Sequence, residues 1–290
     1  MRNYKLGLSI HPWWIDGDLA RLETELCTIE AAGAEYCELV LHGLDAVVGG
    51  RIIPVRLNRV KQILSAHALR YTLHLPYELN LLDPDAGGLY ESLFRAGIEF
   101  ARETGCEVIV YHAGCAQGDP EALAGREAEI LGRLLEGTGG LPVCMENAPF
   151  LEPGFHSAGE TARAMAAFCR RIGRPDFRLT FDVGHNFIAN RGDPEKLLTD
   201  LDLLLPCIGH MHLHDNFGIP LKMEHADYSH RIACGAADLH LPPGWGRIPV
   251  DAVLERLRAY RGVLILEIEK RFEDQYAACI RSVLDERESG

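Results

Sequence analysis

The most restrictive feature of this chain is an alternation. Short apolar runs recur roughly every 30–40 residues, and longer amphipathic stretches separate them. Eight runs read as strands: 5–10, 35–41, 70–75, 107–112, 142–146, 178–183, 208–213 and 263–268. They are rich in Val, Ile, Leu, Tyr and Phe, as suits strands buried on both faces. The stretches between them read as helices. Leu19, Leu22, Leu26 and Ile29 follow Asp18, a fitting N-cap, and Leu57, Val60, Ile63 and Leu64 repeat the pattern. Gly33, Gly105 and Gly173 each follow such a pattern and suit the residue after a helix end. Divided over eight units, 290 residues leave about 36 per unit, the arithmetic of a (β/α)8 barrel. No linker, charge block or composition shift divides the chain, so residues 1–290 are expected to form one domain. The alternative is an open doubly wound sheet. Its first strand calls for a glycine fingerprint, and that place holds Ser9-Ile10-His11-Pro12.

The 42 Asp and Glu outnumber the 29 Lys and Arg, for a net charge of −13. That balance argues against duplex DNA as a partner, which calls for basic surface. No apolar run reaches the roughly 18 residues of a membrane span, and residues 1–14 lack the apolar stretch of a signal peptide. The nine cysteines are odd in number and scattered, with no CxxC pair. They read as reduced thiols, and the expected location is cytoplasmic.

Polar residues gather where the strands end. His74, His112, Glu146-Asn147 and Asp182 close the third to sixth strands, with His185 just beyond. The seventh holds His210, His212, His214 and Asp215, and the eighth ends in Glu267. In a barrel these ends converge on one mouth, where active sites are built. A single histidine there is usually a satisfied polar group, and a single carboxylate usually caps the next helix. Six successive strands doing so would crowd buried charge, which is costly unless paired or metal-bound. Imidazoles mixed with carboxylates at one point suit a divalent metal. Asp238-Leu239-His240, in an extended loop, adds two more donors on one side of the chain. His210 and His214 flank His212 at period two, so all three share its face if the strand continues.

At these residues the chain resembles the xylose isomerase-like TIM-barrel superfamily, and within it the metal constellation of endonuclease IV. His74-Leu-Pro-Tyr77-Glu78-Leu79-Asn80 is similar to that family's His-x-x-Tyr segment ending in Asn. His112, Glu146, Asp182-Val-Gly-His185, His212-Leu-His-Asp215, Asp238-Leu-His240 and Glu267 follow in the family's order. The resemblance implies up to three divalent ions, Zn²⁺ first, with Mn²⁺ or Fe²⁺ as alternatives. It assigns His74, His112 and Glu146 to one ion. Asp182, His212 and Glu267, with Glu146 bridging, take a second. His185, Asp238 and His240 take the third. Glu146 and Glu267 would be the catalytic carboxylates. Tyr77, Asn80, Asn147, Asp215, Trp245, Arg247 and His11 would meet substrate, with Asp215 also suited to orient a ligating histidine.

Departures redirect the expected chemistry. Glu78 stands where the nuclease has an apolar residue that enters DNA, and 43–56 lacks the aromatic residues of a DNA-penetrating loop and carries only Arg51 and Arg56 as basic residues. The segment between Asp215 and Asp238 carries Lys222, His225, Tyr228, His230 and Arg231, the composition of a substrate lid or of a solvated loop. The main expectation is therefore phosphodiester hydrolysis on a small nucleotide-like or phosphorylated molecule, the nucleotide loop of a cobamide among them. The alternative is isomerisation or epimerisation of a sugar or sugar phosphate. For that chemistry Glu146, Asp182, His212 and Glu267 form a single-metal site, and the two glutamates move the proton. Endonuclease activity on DNA and a non-catalytic metal-binding scaffold rank below both.

Overall fold

The computed structural model describes residues 3–148, 154–220 and 228–285. Eight parallel strands close into a barrel: β1 (Lys5–Ser9), β2 (Tyr36–Val40), β3 (Arg70–His74), β4 (Ile109–His112), β5 (Val143–Glu146), β6 (Phe177–Asp182), β7 (Ile208–Leu213) and β8 (Val263–Leu266). Each strand pairs with its sequence neighbours, and β8 closes on β1 with Lys5 opposite Val263. The closed ring excludes the open doubly wound sheet.

A helix follows each strand: α1 (Leu19–Ala31), α2 (Pro54–Leu64), α3 (Gly87–Thr104), α4 (Pro120–Leu135), α5 (Ala162–Ile172), α6 (Pro194–Leu204), α7 (Val250–Arg256) and α8 (Tyr276–Asp285). Asp18 caps α1 by accepting from the Ala20 N–H at 2.9 Å. Among the described residues, no helix is long and apolar enough to cross a membrane.

The register builds the interior in layers. Side chains alternate along a strand, so residues paired across neighbouring strands share a face. Tyr36 lies opposite Gly7 and Arg70, while Val263 lies opposite His210. Thr72 lies opposite Glu38, and Thr180 opposite both Glu146 and His210. At the strand ends, His112 meets Glu146 and Asp182 meets His212. The interior therefore carries Tyr36, Arg70, Val263 and His210 toward its base, Glu38 above them, and Glu146, Asp182 and His212 at the mouth. The outward faces pack on the helices as the core.

That core carries the stability. Phe168 of α5 packs edge-to-face on Phe177 of β6, with centroids 5.8 Å apart and both rings buried. Phe168→Ala should cost about 3–5 kcal/mol in urea unfolding. A loss below about 1 kcal/mol would contradict this packing account.

Candidate metal centre

Four consecutive strands bring the central donors together. Glu146 ends β5, Asp182 ends β6, His212 lies in β7, and Glu267 stands just past β8. The Nδ1 of His212 is 3.3 Å from Glu146, 3.5 Å from Glu267 and 3.7 Å from Asp182. His74 and His112 approach from β3 and β4, with Nε2 3.0 Å and 3.5 Å from Glu146.

Asp238 and His240 arrive from a loop that Asp215 ties down. The Asp215 backbone pairs with Leu241 in both directions. Its buried carboxylate accepts the backbone N–H groups of Asn216 (2.8 Å), Gly244 (2.8 Å), Gly246 (2.9 Å) and Ile248 (3.1 Å). His240 holds a left-handed φ of 45°, costly for a residue with a Cβ. Its ring is held at both nitrogens, 3.1 Å from the Glu267 carbonyl and 2.9 Å from Asp238. Gly184 is required beside it, because a Cβ there would collide with the His214 ring, which stacks on His240 at 4.1 Å.

The histidines share a pattern that bears on metal binding. Nδ1 of His74, His112, His185 and His240 lies on the carbonyl oxygen of Leu75, Tyr77, Asn147 and Glu267 respectively. A carbonyl only accepts, so Nδ1 carries the proton and Nε2 faces a carboxylate in each, His185 Nδ1 also lying 3.2 Å from Glu146. Among the described residues, the ion-pair partners of Glu146, Asp182 and Glu267 are histidines. Asp182 Oδ2 and Asp238 Oδ1 are buried with no hydrogen-bond partner. Buried anionic oxygens facing nitrogen lone-pair positions fit a divalent cation.

Ligand atoms converge within 4.8 Å in several sets: His74, Glu146 and His212; Asp182, His212 and Glu267; Glu146, Asp182 and His185; and His185, His214, Asp238 and His240. The second set is grouped as expected. In the first, His212 stands where His112 was expected, although His112 Nε2 also lies 3.5 Å from Glu146. In the last, His214 joins the expected three.

Electrostatics tighten the cluster. Burial alone would raise the Glu146 pKa, but His212 and His112 outweigh it and hold the carboxyl well below its usual range. Asp238 is held low against its own burial by His240, His214 and His185. Burial opposes protonation of His240, yet Asp238 lifts its pKa to about 10. His185 and His212 are raised well above the usual value against burial, the first by Asp182 and Asp238, the second by Glu267 and Glu38.

The mouth opens into a cavity of about 360 Å³ lined by His11, Trp13, Tyr77, His112, Glu146, Asp238, His240 and Glu267 among others. Five residues expected to meet substrate do not line it. Asn80 instead bonds the Leu82 and Cys115 backbone. Asn147 bridges to both the N–H and the carbonyl of Asp182. Asp215 commits its carboxylate to the loop described above and orients no histidine among the described residues. Trp245 packs on Phe272 at 5.3 Å, and Arg247 is exposed. These side chains hold backbone or sit outside the mouth, which a motif does not reveal. Tyr77 and His11 do line the cavity, and His11 is braced by buried Glu25, 2.5 Å from its Nδ1. Of the suspected lid, Lys222 and His225 and the side chains of Tyr228 and His230 lie outside the described residues; Arg231 falls in the helix Tyr228–Cys234.

Sequence reasoning passed over Glu38 and Glu25. A carboxylate inside the apolar run Tyr36-Cys37-Glu38-Leu39-Val40 is itself a signal, since such a charge needs a buried partner.

The chain belongs to the xylose isomerase-like TIM barrel family, whose sequence model matches residues 28–285. No curated protein sequence matches it. Among solved structures it is similar to a D-tagatose 3-epimerase-like protein, at 22% identity over 97% of both chains, with a TM-score of 0.71. It also resembles D-psicose 3-epimerase with D-tagatose from Clostridium cellulolyticum (14% identity, 97% of this chain and 98% of that one, TM-score 0.70). A third is a protein from Thermus thermophilus soaked with ZnCl2 (21% identity, 99% of both chains, TM-score 0.69). These likenesses establish a shared fold.

A divalent ion enters this cluster only by displacing the protons on the raised histidines. Uptake should therefore release protons near neutral pH, and affinity should fall as pH drops from about 8 to about 6. Calorimetric titration in two buffers of different ionisation enthalpy reads both effects. A flat affinity without proton release would contradict the assigned charge states.

Proposed function

We propose that the chain is a divalent-metal-dependent sugar epimerase or isomerase, with Glu146, Asp182, His212 and Glu267 as metal ligands. The observation that carries this reading is the pair Glu146 and Glu267. Both line one small cavity, and both reach His212 Nδ1 from strands on either side of it. Two similar structures are a D-tagatose 3-epimerase-like protein and a D-psicose 3-epimerase, which favours this chemistry over the phosphodiester hydrolysis expected first. The cavity volume sits near the low end of the roughly 300–1,000 Å³ typical of small-molecule sites.

A bound divalent ion supplies polarisation of the substrate carbonyl and hydroxyl oxygens. One glutamate takes the proton from the carbon beside the carbonyl, and the other returns a proton from the opposite side. Return on the opposite face of the same carbon inverts it; return to the former carbonyl carbon exchanges aldose for ketose. Tyr77 and the Trp13 ring line the cavity, Trp13 at its exposed rim. His11, held by Glu25 and by the Ile268 carbonyl, shapes the wall beside Glu267.

Glu146→Gln and Glu267→Gln should each slow interconversion of ketohexoses such as D-tagatose by at least about 100-fold while the fold persists. Chromatography of the sugar products over time reads this. Full activity in either variant would remove that glutamate from the proposed pair.

Phosphodiester hydrolysis stands as a second reading, because His185, His214, Asp238 and His240 form a further cluster with metal-ligand spacing. Metal content per chain after loading and gel filtration separates the two. The epimerase reading predicts about one tightly held ion, whereas about three ions, with cleavage of bis-p-nitrophenyl phosphate that Glu146→Gln abolishes, would favour the hydrolase.

A further inference from the structure

Beneath the mouth, one carboxylate stands on the barrel interior in mid-strand. Glu38 of β2 is fully buried, as are His210 and His212. Its Oε1 lies 2.9 Å from His212 Nε2, and its Oε2 lies 3.1 Å from His210 Nε2. The Thr72 hydroxyl donates to the same Oε2 at 2.9 Å. Both rings meet Glu38 off the ideal donor direction, which an anionic acceptor tolerates because its attraction is largely Coulombic.

His212 is the inverted member of the cluster. His74, His112, His185 and His240 each rest Nδ1 on a backbone carbonyl and turn Nε2 to a carboxylate, with His185 Nδ1 shared between the Asn147 carbonyl and Glu146. His212 turns Nδ1 to Glu146, Asp182 and Glu267, and its rear nitrogen meets Glu38 instead of a carbonyl. The histidine central to the proposed ligand set is thus the one whose proton position depends on a side chain.

We propose that Glu38 is the positioning residue of the metal centre, holding the proton of His212 on Nε2 so that the Nδ1 lone pair points at the ion. His210 and Thr72 saturate the other oxygen and keep the carboxylate from rotating away. An anionic acceptor also makes the ligating nitrogen more basic than a carbonyl would. This inference rests on the metal reading of the site and adds the group that orients its central ligand.

The test is zinc affinity of wild type and Glu38→Gln, measured by competition with a chromophoric chelator. The Gln side chain offers one acceptor and one donor in place of two acceptors. An amide N–H facing His212 Nε2 drives the ring proton to Nδ1, on the metal side. Affinity should fall by about 10–100-fold in a variant whose circular dichroism and urea midpoint show it folded. Nitrogen-15 NMR of histidine-labelled, zinc-loaded wild type supplies a readout that does not depend on the variant folding. It should show His212 protonated at Nε2 and bound through Nδ1. Equal affinity in a folded variant, or a His212 protonated at Nδ1, would overturn the proposal while leaving the metal reading intact. Wild type that takes up no divalent ion would overturn both.

Discussion

Everything at the mouth depends on burying carboxylates among imidazoles. Glu146 is 1% exposed and faces His74, His112, His185 and His212. A carboxylate in that position without counter-charge would be strongly destabilising. The same groups that offset its charge are neutral nitrogen donors once their protons leave. The cluster therefore has two balanced states, one with protons and one with a cation in their place. The barrel tolerates this arrangement because the carboxylates at and beneath the mouth, Glu146 and Glu38, each face imidazoles.

Support for the cluster comes from outside it. Asp215 gathers four backbone N–H groups onto one carboxylate and so fixes the loop that delivers Asp238 and His240. Glu25 braces His11, and Glu38 underlies His212. The left-handed His240 is held because both of its ring nitrogens are engaged. Conformational cost at the mouth is thus borne by buried polar contacts, those of Asp215, Glu25 and Glu38 coming from side chains that do not line the cavity.

The fold was legible because its signals are local and repeated. Each strand is a short apolar run, and His74, His112, Glu146, Asp182, His212 and Glu267 sit at or just past strand ends, so barrel topology gathers residues far apart in sequence. Long-range side-chain to backbone bonds leave no such trace. Asp215 and Asn147 look like site residues because they adjoin donors, yet both are committed to backbone. Glu38 shows the converse, since its partners His210 and His212 come from the far side of the ring. Chemistry was the least legible property. A shared set of Glu, Asp and His donors serves hydrolysis and proton transfer alike, and preference between them came from structural likeness and from the paired glutamates.

The most direct measurement of the proposed chemistry is hydrogen exchange in the substrate. A ketohexose or its phosphate, incubated in D2O with metal-loaded protein, is followed by proton NMR at the carbons flanking the carbonyl. The proton-transfer account predicts protein-dependent exchange of deuterium into one of those carbons. Absence of exchange in every such sugar, from protein that holds its metal and cleaves a phosphodiester, would contradict it.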